Sequence, residues 1–220
     1  MSILSMRPDT MTVIIHTGIM YVNRHIMIGM PRTSDARQRT LETAADLFRR
    51  QGYHGTPVSQ ILEGSGAPRG SLYFHFPGGK EQIASEAVSI AAAEMEWLIQ
   101  RARDRSSTPV EFIGRLVGGM ARWLEKSGYE KGCPIATVTL ELAPSVEAVA
   151  EAARSAFQTW TKLVGQGLAE LGFPEERAER VALLVITAIE GGLLLSRAEQ
   201  STAGLRRIRE ELMALVEVAP

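Results

Sequence analysis

"GSGAPRGSLYFHFPGGK", residues 64–80, admits two readings. Gly64, Gly66 and Gly70 form a G-x-G-x-x-x-G run of the kind that cradles a dinucleotide phosphate. The same stretch has the composition of the turn and second helix of a helix-turn-helix. The first reading needs a strand directly before the glycines and an acidic residue about 20 positions later. The preceding residues instead look helical. Thr56-Pro57 reads as an N-cap followed by a proline at the first helical position, and Val58, Ile61 and Leu62 recur at helical spacing. Twenty positions past Gly64 stands Ala84, and the nearby Glu86 falls inside another helical run. A Rossmann unit cannot be assembled from these pieces.

The helix-turn-helix reading accounts for each residue type. Two short helices joined by a glycine-containing turn place the second helix in the major groove of DNA. Gly66 permits the reversal, Pro68 opens the second helix, and Gly70 is small enough for close approach to the duplex. Arg69, Ser71, Tyr73 and His75 cluster near that helix start, where they suit phosphates and base edges. Arg69 and Ser71 are the base readers of the set. Tyr73, Phe74 and Phe76 are too rich a cluster for a solvated turn, so part of it must pack on the first helix. That helix carries Leu41, Ala44, Ala45 and Phe48 at i, i+3, i+4 and i+7 and ends at Gly52.

The run from Arg39 to Ile83 closely resembles the N-terminal domain of TetR-family repressors. The resemblance rests on Phe48, Gly52-Tyr53, Thr56, Ile61, Gly66, Gly70-Ser71-Leu72-Tyr73, His75-Phe76 and Lys80-Glu81. Further along, "FPGGKE" and "KGCPIATVTLE" look like the LmrA- and YxaF-like branch of that family. Pro68 stands where the family has Ser or Thr, and the turn from Phe76 to Lys80 is one residue longer than usual. The resemblance implies that Thr56, Tyr73 and Lys80 contact phosphates. Thr56 also has a structural role as a cap, and Lys80 has the alternative of a plain solvated charge.

Charge and composition agree with this division. Residues 1–82 hold 9 Lys/Arg against 6 Asp/Glu, whereas residues 83–220 hold 15 against 19. A basic N-terminal module beside an acidic body suits nucleic-acid binding. Three segments are expected: a leader over 1–30, a helix-turn-helix domain over 31–80, and a ligand-binding and dimerisation domain over 81–220. Six of the nine methionines fall in the leader, which reads as an early start or a disordered extension, with Met30 as the natural start. The single cysteine, Cys133, fits a reducing cytoplasm.

Residues 81–220 read as helices throughout, separated by Gly, Pro and Ser breaks, so the expected fold is all-α with about nine helices. No G-x-S-x-G, H-E-x-x-H or Cys/His cluster occurs, and two of the four histidines lie in the leader. Neither a catalytic residue, a metal site nor a cofactor is read. The family resemblance implies an inducer cavity in this body. Candidate lining residues are Met95, Phe112, Met120, Trp123, Cys133, Thr137, Phe157 and Trp160, each of which taken alone fits ordinary core packing as well. Such walls suit an apolar, aromatic inducer. Cys133 as a redox sensor is a weaker alternative.

"VALLVITAIEGGLLL", residues 181–195, is apolar all round but too short, with Glu190 inside it, to span a membrane. Leu205, Ile208, Leu212 and Leu215 follow as a coiled-coil-like seam. Val185, Ile189, Gly192, Leu193, Leu205, Ile208 and Leu212 are therefore expected in a homodimer interface, an intrachain core being the alternative. The overall expectation is a dimeric repressor that binds a palindromic operator in double-stranded DNA and is released by a small molecule. The competing class is an all-α carrier or enzyme with a vestigial helix-turn-helix.

Overall fold

The computed structural model describes residues 32–217, with side chains from residue 36 onward. The leader read over residues 1–30 lies outside the described residues. Nine α-helices and one 3₁₀ turn make up the described chain, with no strand among them. They are α1 (Arg32–Gln51), α2 (Val58–Ser65), the 3₁₀ turn Arg69–Ser71, α3 (Leu72–His75), α4 (Gly79–Asp104), α5 (Pro109–Lys126), α6 (Pro134–Leu142), α7 (Glu147–Glu170), α8 (Glu175–Glu199) and α9 (Ala203–Val216).

The helix ends follow the sequence punctuation. Thr108 caps α5 by accepting a hydrogen bond from the Glu111 amide at 3.2 Å, and Pro109 occupies the first turn. Cys133 does the same for α6, its Sγ accepting from the Ala136 amide at 3.5 Å. Thr56 behaves differently from the cap expected of it. Pro57 is the residue flanking α2, and the Thr56 hydroxyl is buried, donating to Gly52 O at 2.6 Å. A carbonyl at the end of α1 has taken the hydroxyl that an orphan amide of α2 would have used.

α1, α2 and α3 form an N-terminal helix-turn-helix unit that leans on α4. Leu41, Ala44, Ala45 and Phe48 of α1 meet Ile61, Leu72 and Phe76 in one buried layer. α4 presents Ala84, Ala87, Ala91 and Ala92 inward, and these small side chains let α1 and α7 pack closely on it. In the larger C-terminal domain α7 lies between α4 and α8, and α9 packs on α5 and α8.

α8 is one helix, among the described residues, long and apolar enough to cross a membrane by length and composition. Part of its apolarity is accounted for by packing within the protomer. Val181, Ala182, Val185, Ile186, Ile189 and Leu193 are buried in the protomer. Of the α9 seam, Leu205 and Leu212 are buried and Ile208 and Leu215 are half-buried against the core, and α9 lies along α5. A Cβ at Gly192 would approach Leu205 Cδ1 to 2.5 Å, so the glycine sets the α8–α9 distance.

In the protomer the residues expected at a dimer interface are placed as follows. Val185, Ile189, Gly192, Leu193, Leu205 and Leu212 face the chain's own core, and Ile208 is half-buried against it. The apolar face that stays open on α8 consists of Leu183, Leu184, Leu194 and Leu195.

Candidate DNA-reading surface and ligand cavity

The turn between α2 and α3 is built as its sequence requires. Gly66 adopts φ +65°, and its amide donates back to Glu63 O and Leu62 O. Ala67 N also donates to Leu62 O at 3.2 Å, closing the end of α2. Pro68 is extended and flanks the 3₁₀ turn, and Ser71 Oγ donates to Pro68 O at 2.7 Å. The second helix is thus a 3₁₀ turn running into one α turn, anchored by buried Leu72 and Phe76.

What this short helix leaves outside is a compact set. Arg69 and Gly70 are exposed, and a Cβ at Gly70 would meet nothing within 4 Å. Tyr73 is 68% and Phe74 79% exposed, while Ser71 and His75 are half-buried. The aromatic cluster therefore divides: Phe76 packs inward beneath Arg37, whose guanidinium carbon lies 5.0 Å from the ring centroid, and the other two face solvent. Phe74 is the residue that sequence reasoning passed over. Its neighbours in the cluster drew it toward the core, and only the placement of Leu72 shows which side of α3 is inward.

Two residues expected to contact phosphates have partners within the protein. Thr56 is completely buried, so no phosphate can reach its hydroxyl. Lys80 Nζ donates to Tyr53 O at 2.6 Å and sits 3.9 Å from the Tyr53 ring centroid. Burial lowers the pKa of this ammonium, with Glu141 opposing the shift. In this arrangement Lys80 ties the start of α4 to the turn after α1. Arg39 Nε donates to Ser65 O at 3.0 Å, and Arg37 is paired with Glu86.

The body holds two adjoining spaces. An inner cavity of about 70 Å³ is bounded by Met95, Met120, Trp123, Cys133 and Trp160. An outer groove of about 490 Å³ between α6, α7 and α8 is lined by Cys133, Thr137, Phe157, Ile186 and Leu194 among others. Gly132, Cys133, Glu190 and Leu193 border both. Seven of the eight expected lining residues thus gather here. The exception is Phe112, which is fully buried between α5 and α7, with its ring 2.9 Å from where a Gly167 Cβ would stand. Trp160 is fixed by a hydrogen bond from Nε1 to Ala92 O at 3.1 Å and by an edge contact with Phe157, centroids 5.4 Å apart.

Three charged residues at the inner cavity were not anticipated: Arg49, Glu94 and Glu190. Arg49 pairs with Glu94 at 2.9 Å and lies over Trp123. Glu190 Oε2 and Arg49 Nε are shielded from solvent without a hydrogen-bond partner. Burial pushes the Glu190 carboxyl up to about 7, partly offset by a hydrogen bond with the Cys133 thiol. Burial, reinforced by the charge of Glu190, pushes that thiol well above its ordinary range. A thiol held protonated is a poor redox sensor.

The cavity wall is wired to the helix-turn-helix. Gly132 N donates to Arg49 O at 2.9 Å. The Glu141 carboxylate, on the last turn of α6, accepts from Tyr53 N at 3.0 Å and His54 N at 2.6 Å. Arg197 of α8 donates to Arg50 O, Tyr129 O and Glu130 O.

Residues 41–87 match the bacterial regulatory proteins of the tetR family, and residues 109–211 match the C-terminal domain of LmrA/YxaF-like transcriptional regulators. The HTH-type transcriptional regulator YxaF of Bacillus subtilis is 38% identical over 187 residues, covering 85% of this chain and 98% of its own. LmrA of the same organism is 34% identical, covering 79% and 93%. Crystal structures of TetR-family regulators from Cytophaga hutchinsonii (TM-score 0.75, 22% identity, 86% of this chain and 96% of that one) and Legionella pneumophila (TM-score 0.73, 20% identity, 86% and 99%) share the fold. The chain belongs to the TetR family of transcriptional regulators, in its LmrA/YxaF-like group.

Proposed function

We propose that this regulator is a cytoplasmic homodimeric repressor that holds a palindromic operator and releases it when a mainly apolar small molecule enters the α6–α8 groove. It acts by binding rather than by catalysis. The observation that carries the reading is the ligand cavity's position: Cys133 lines it, and the adjacent Gly132 is bonded to α1 of the helix-turn-helix. Arg69 stands where a guanidinium can bond a guanine edge, and Tyr73 and Phe74 flank it as contacts for backbone sugar or thymine methyls.

A ligand seated against Cys133 and Thr137 bears on α6. Glu141 and Gly132 transmit any shift of α6 to the end of α1, and α3 moves with that unit. The ligand-bound conformation then holds the two recognition helices at a spacing that fits the operator poorly, a population shift with reciprocal coupling. The second copy is expected on the open face of α8, where Leu194 is 67% exposed and Leu183, Leu184 and Leu195 are also exposed. An apolar patch of this kind on a soluble regulator marks an association surface. Leu183 and Leu194 also line the groove, so a partner seated there closes over the ligand.

Fluorescence anisotropy on duplex DNA from the region upstream of the gene tests the reading. Binding should weaken steeply with salt and be reversed by flat apolar compounds that quench tryptophan emission. Salt-insensitive binding, or ligand binding that leaves the DNA affinity unchanged, would contradict it.

A further inference from the structure

Glu190 is the feature that the proposed mechanism does not use. It is an acid on α8, inside the run VALLVITAIEGGLLL, with apolar neighbours on either side in the chain. Its side chain borders both the inner cavity and the outer groove. Its Oε2 is shielded from solvent and has no hydrogen-bond partner. A buried acceptor without a donor is costly, and more so when it carries charge. No described ion pair includes Glu190. Of the cations that share these walls, Arg49 pairs through Nη2 with Glu94 and lies over the Trp123 face, with its Nε unpartnered, and Arg197 is held by three backbone carbonyls; neither is ion-paired to Glu190.

The surroundings fit the missing partner. Around the carboxyl, Trp123, Trp160, Met95 and Met120 form apolar, aromatic walls. Aromatic faces attract organic cations, and a desolvated cation gains most from them. The groove beyond, with Phe157, Ile186 and Leu194, has room for a flat apolar body.

We propose that Glu190 anchors the ligand through a protonated amine, whose apolar body lies in the α6–α8 groove. This deepens the ligand-responsive reading and rests on it. An amine donates to Oε2 and brings the charge that an ionised Glu190 lacks, whereas a neutral alcohol brings the donor alone. The titratable and charged groups facing Glu190 are Cys133 from α6, Arg49 from α1, Glu94 from α4 and Arg197 from α8; α7 contributes none. Amine binding therefore draws Glu190 into its ionised form, so below neutrality it must displace a proton and weakens.

The test uses the full-length protein and three probes of matched shape: 2-naphthylmethylamine, 2-naphthylmethanol and 2-methylnaphthalene. Tryptophan quenching at pH 8 should show the amine binding about tenfold or more tightly than the alcohol, as expected of a charge-assisted hydrogen bond. The preference should shrink at pH 5.5. Glu190→Gln should lose it while keeping the affinity for 2-methylnaphthalene, which has no donor for the carboxylate and so shows that the variant's groove is intact. Equal binding of amine and alcohol by the wild type, an unchanged preference in Glu190→Gln, or no binding of the amine overturns the proposal. If the neutral probes bind and release DNA while the amine gains nothing, the ligand-responsive reading stands and the amine anchor alone falls.

Discussion

Glu190→Gln should stabilise the protein at pH 8 much more than at pH 5. The carboxyl ordinarily titrates near 4.5, and burial in the fold lifts it to about 7. Below pH 4.5 the acid is neutral in both folded and unfolded chains, and burial of its charge costs nothing. Between 4.5 and about 7 the unfolded chain releases the proton while the folded chain keeps it, so stability falls as pH rises. Above 7 the full penalty is present, about 3 kcal/mol from the displacement of the pKa. Most of it develops between pH 5 and pH 8. Glutamine never ionises, so its own burial cost is the same at both. Cys133 stays protonated over this range because its thiol is shifted upward, so it adds no competing titration. For a chain of this length about 1 kcal/mol corresponds to roughly 2–4 °C in Tm. The Tm difference between variant and wild type should therefore be about 4–10 °C larger at pH 8 than at pH 5, read by differential scanning fluorimetry without ligand. An identical difference at the two pH values would mean that Glu190 is solvated or internally paired, and the argument from its burial would fail.

Leu194→Arg should give a folded monomer by sedimentation, with operator binding weakened by loss of the second half-site. Leu193→Arg, one residue away but buried, should instead lower the melting temperature by forcing a charge into the protomer core. If Leu194→Arg stays dimeric, the open face of α8 is not the interface. Glu141→Ala removes the acceptor for two amides after α1; it should leave ligand affinity within about twofold but reduce ligand-driven DNA release, measured as the ratio of DNA affinities with and without ligand. An unchanged ratio would remove α6 from the coupling path. Thr56→Ala should cost about 1–2 kcal/mol of stability, since Gly52 O loses its buried donor, while the salt slope of DNA binding stays the same; a shallower slope would return Thr56 to the phosphate contacts.

Most helix ends were legible because they are written in local chemistry. Gly66, and the prolines Pro109 and Pro134 among the breaks of the body, each act within one turn of the chain, where tertiary context has little to add. The orientation of α8 was not legible. A helix apolar all round carries no polar stripe to say which side meets its own core, and residues 181–195 satisfy either choice. The α9 seam posed the same difficulty, because an a/d pattern names a partner surface but not whose. It found α5, where Gly114 and Gly118 leave room and Arg209 Nε donates to Gly114 O at 3.0 Å. The internal partners of Thr56 and Lys80 were not legible either: beyond a cap for Thr56, each was read for what it offers DNA, while Gly52 O and Tyr53 O lie within hydrogen-bond reach. The cavity was found through its Trp and Met content, but its charged members were not. Arg49 and Glu94 lie on helices whose exposed sides carry similar charges, and Glu190 read as a flaw in an apolar run.

The most direct test of the central claim is selection of binding sites from a random double-stranded DNA library by the intact protein, repeated with Arg69→Ala. Enrichment of a two-fold symmetric site is expected, with half-sites about one helical turn (roughly 34–36 Å) apart or somewhat more. Arg69→Ala should relax the choice at one base pair in each half-site, at a cost of about 1–3 kcal/mol for that discrimination. No enrichment, or an enriched site without two-fold symmetry whose base preferences are identical in the variant, would contradict the claim.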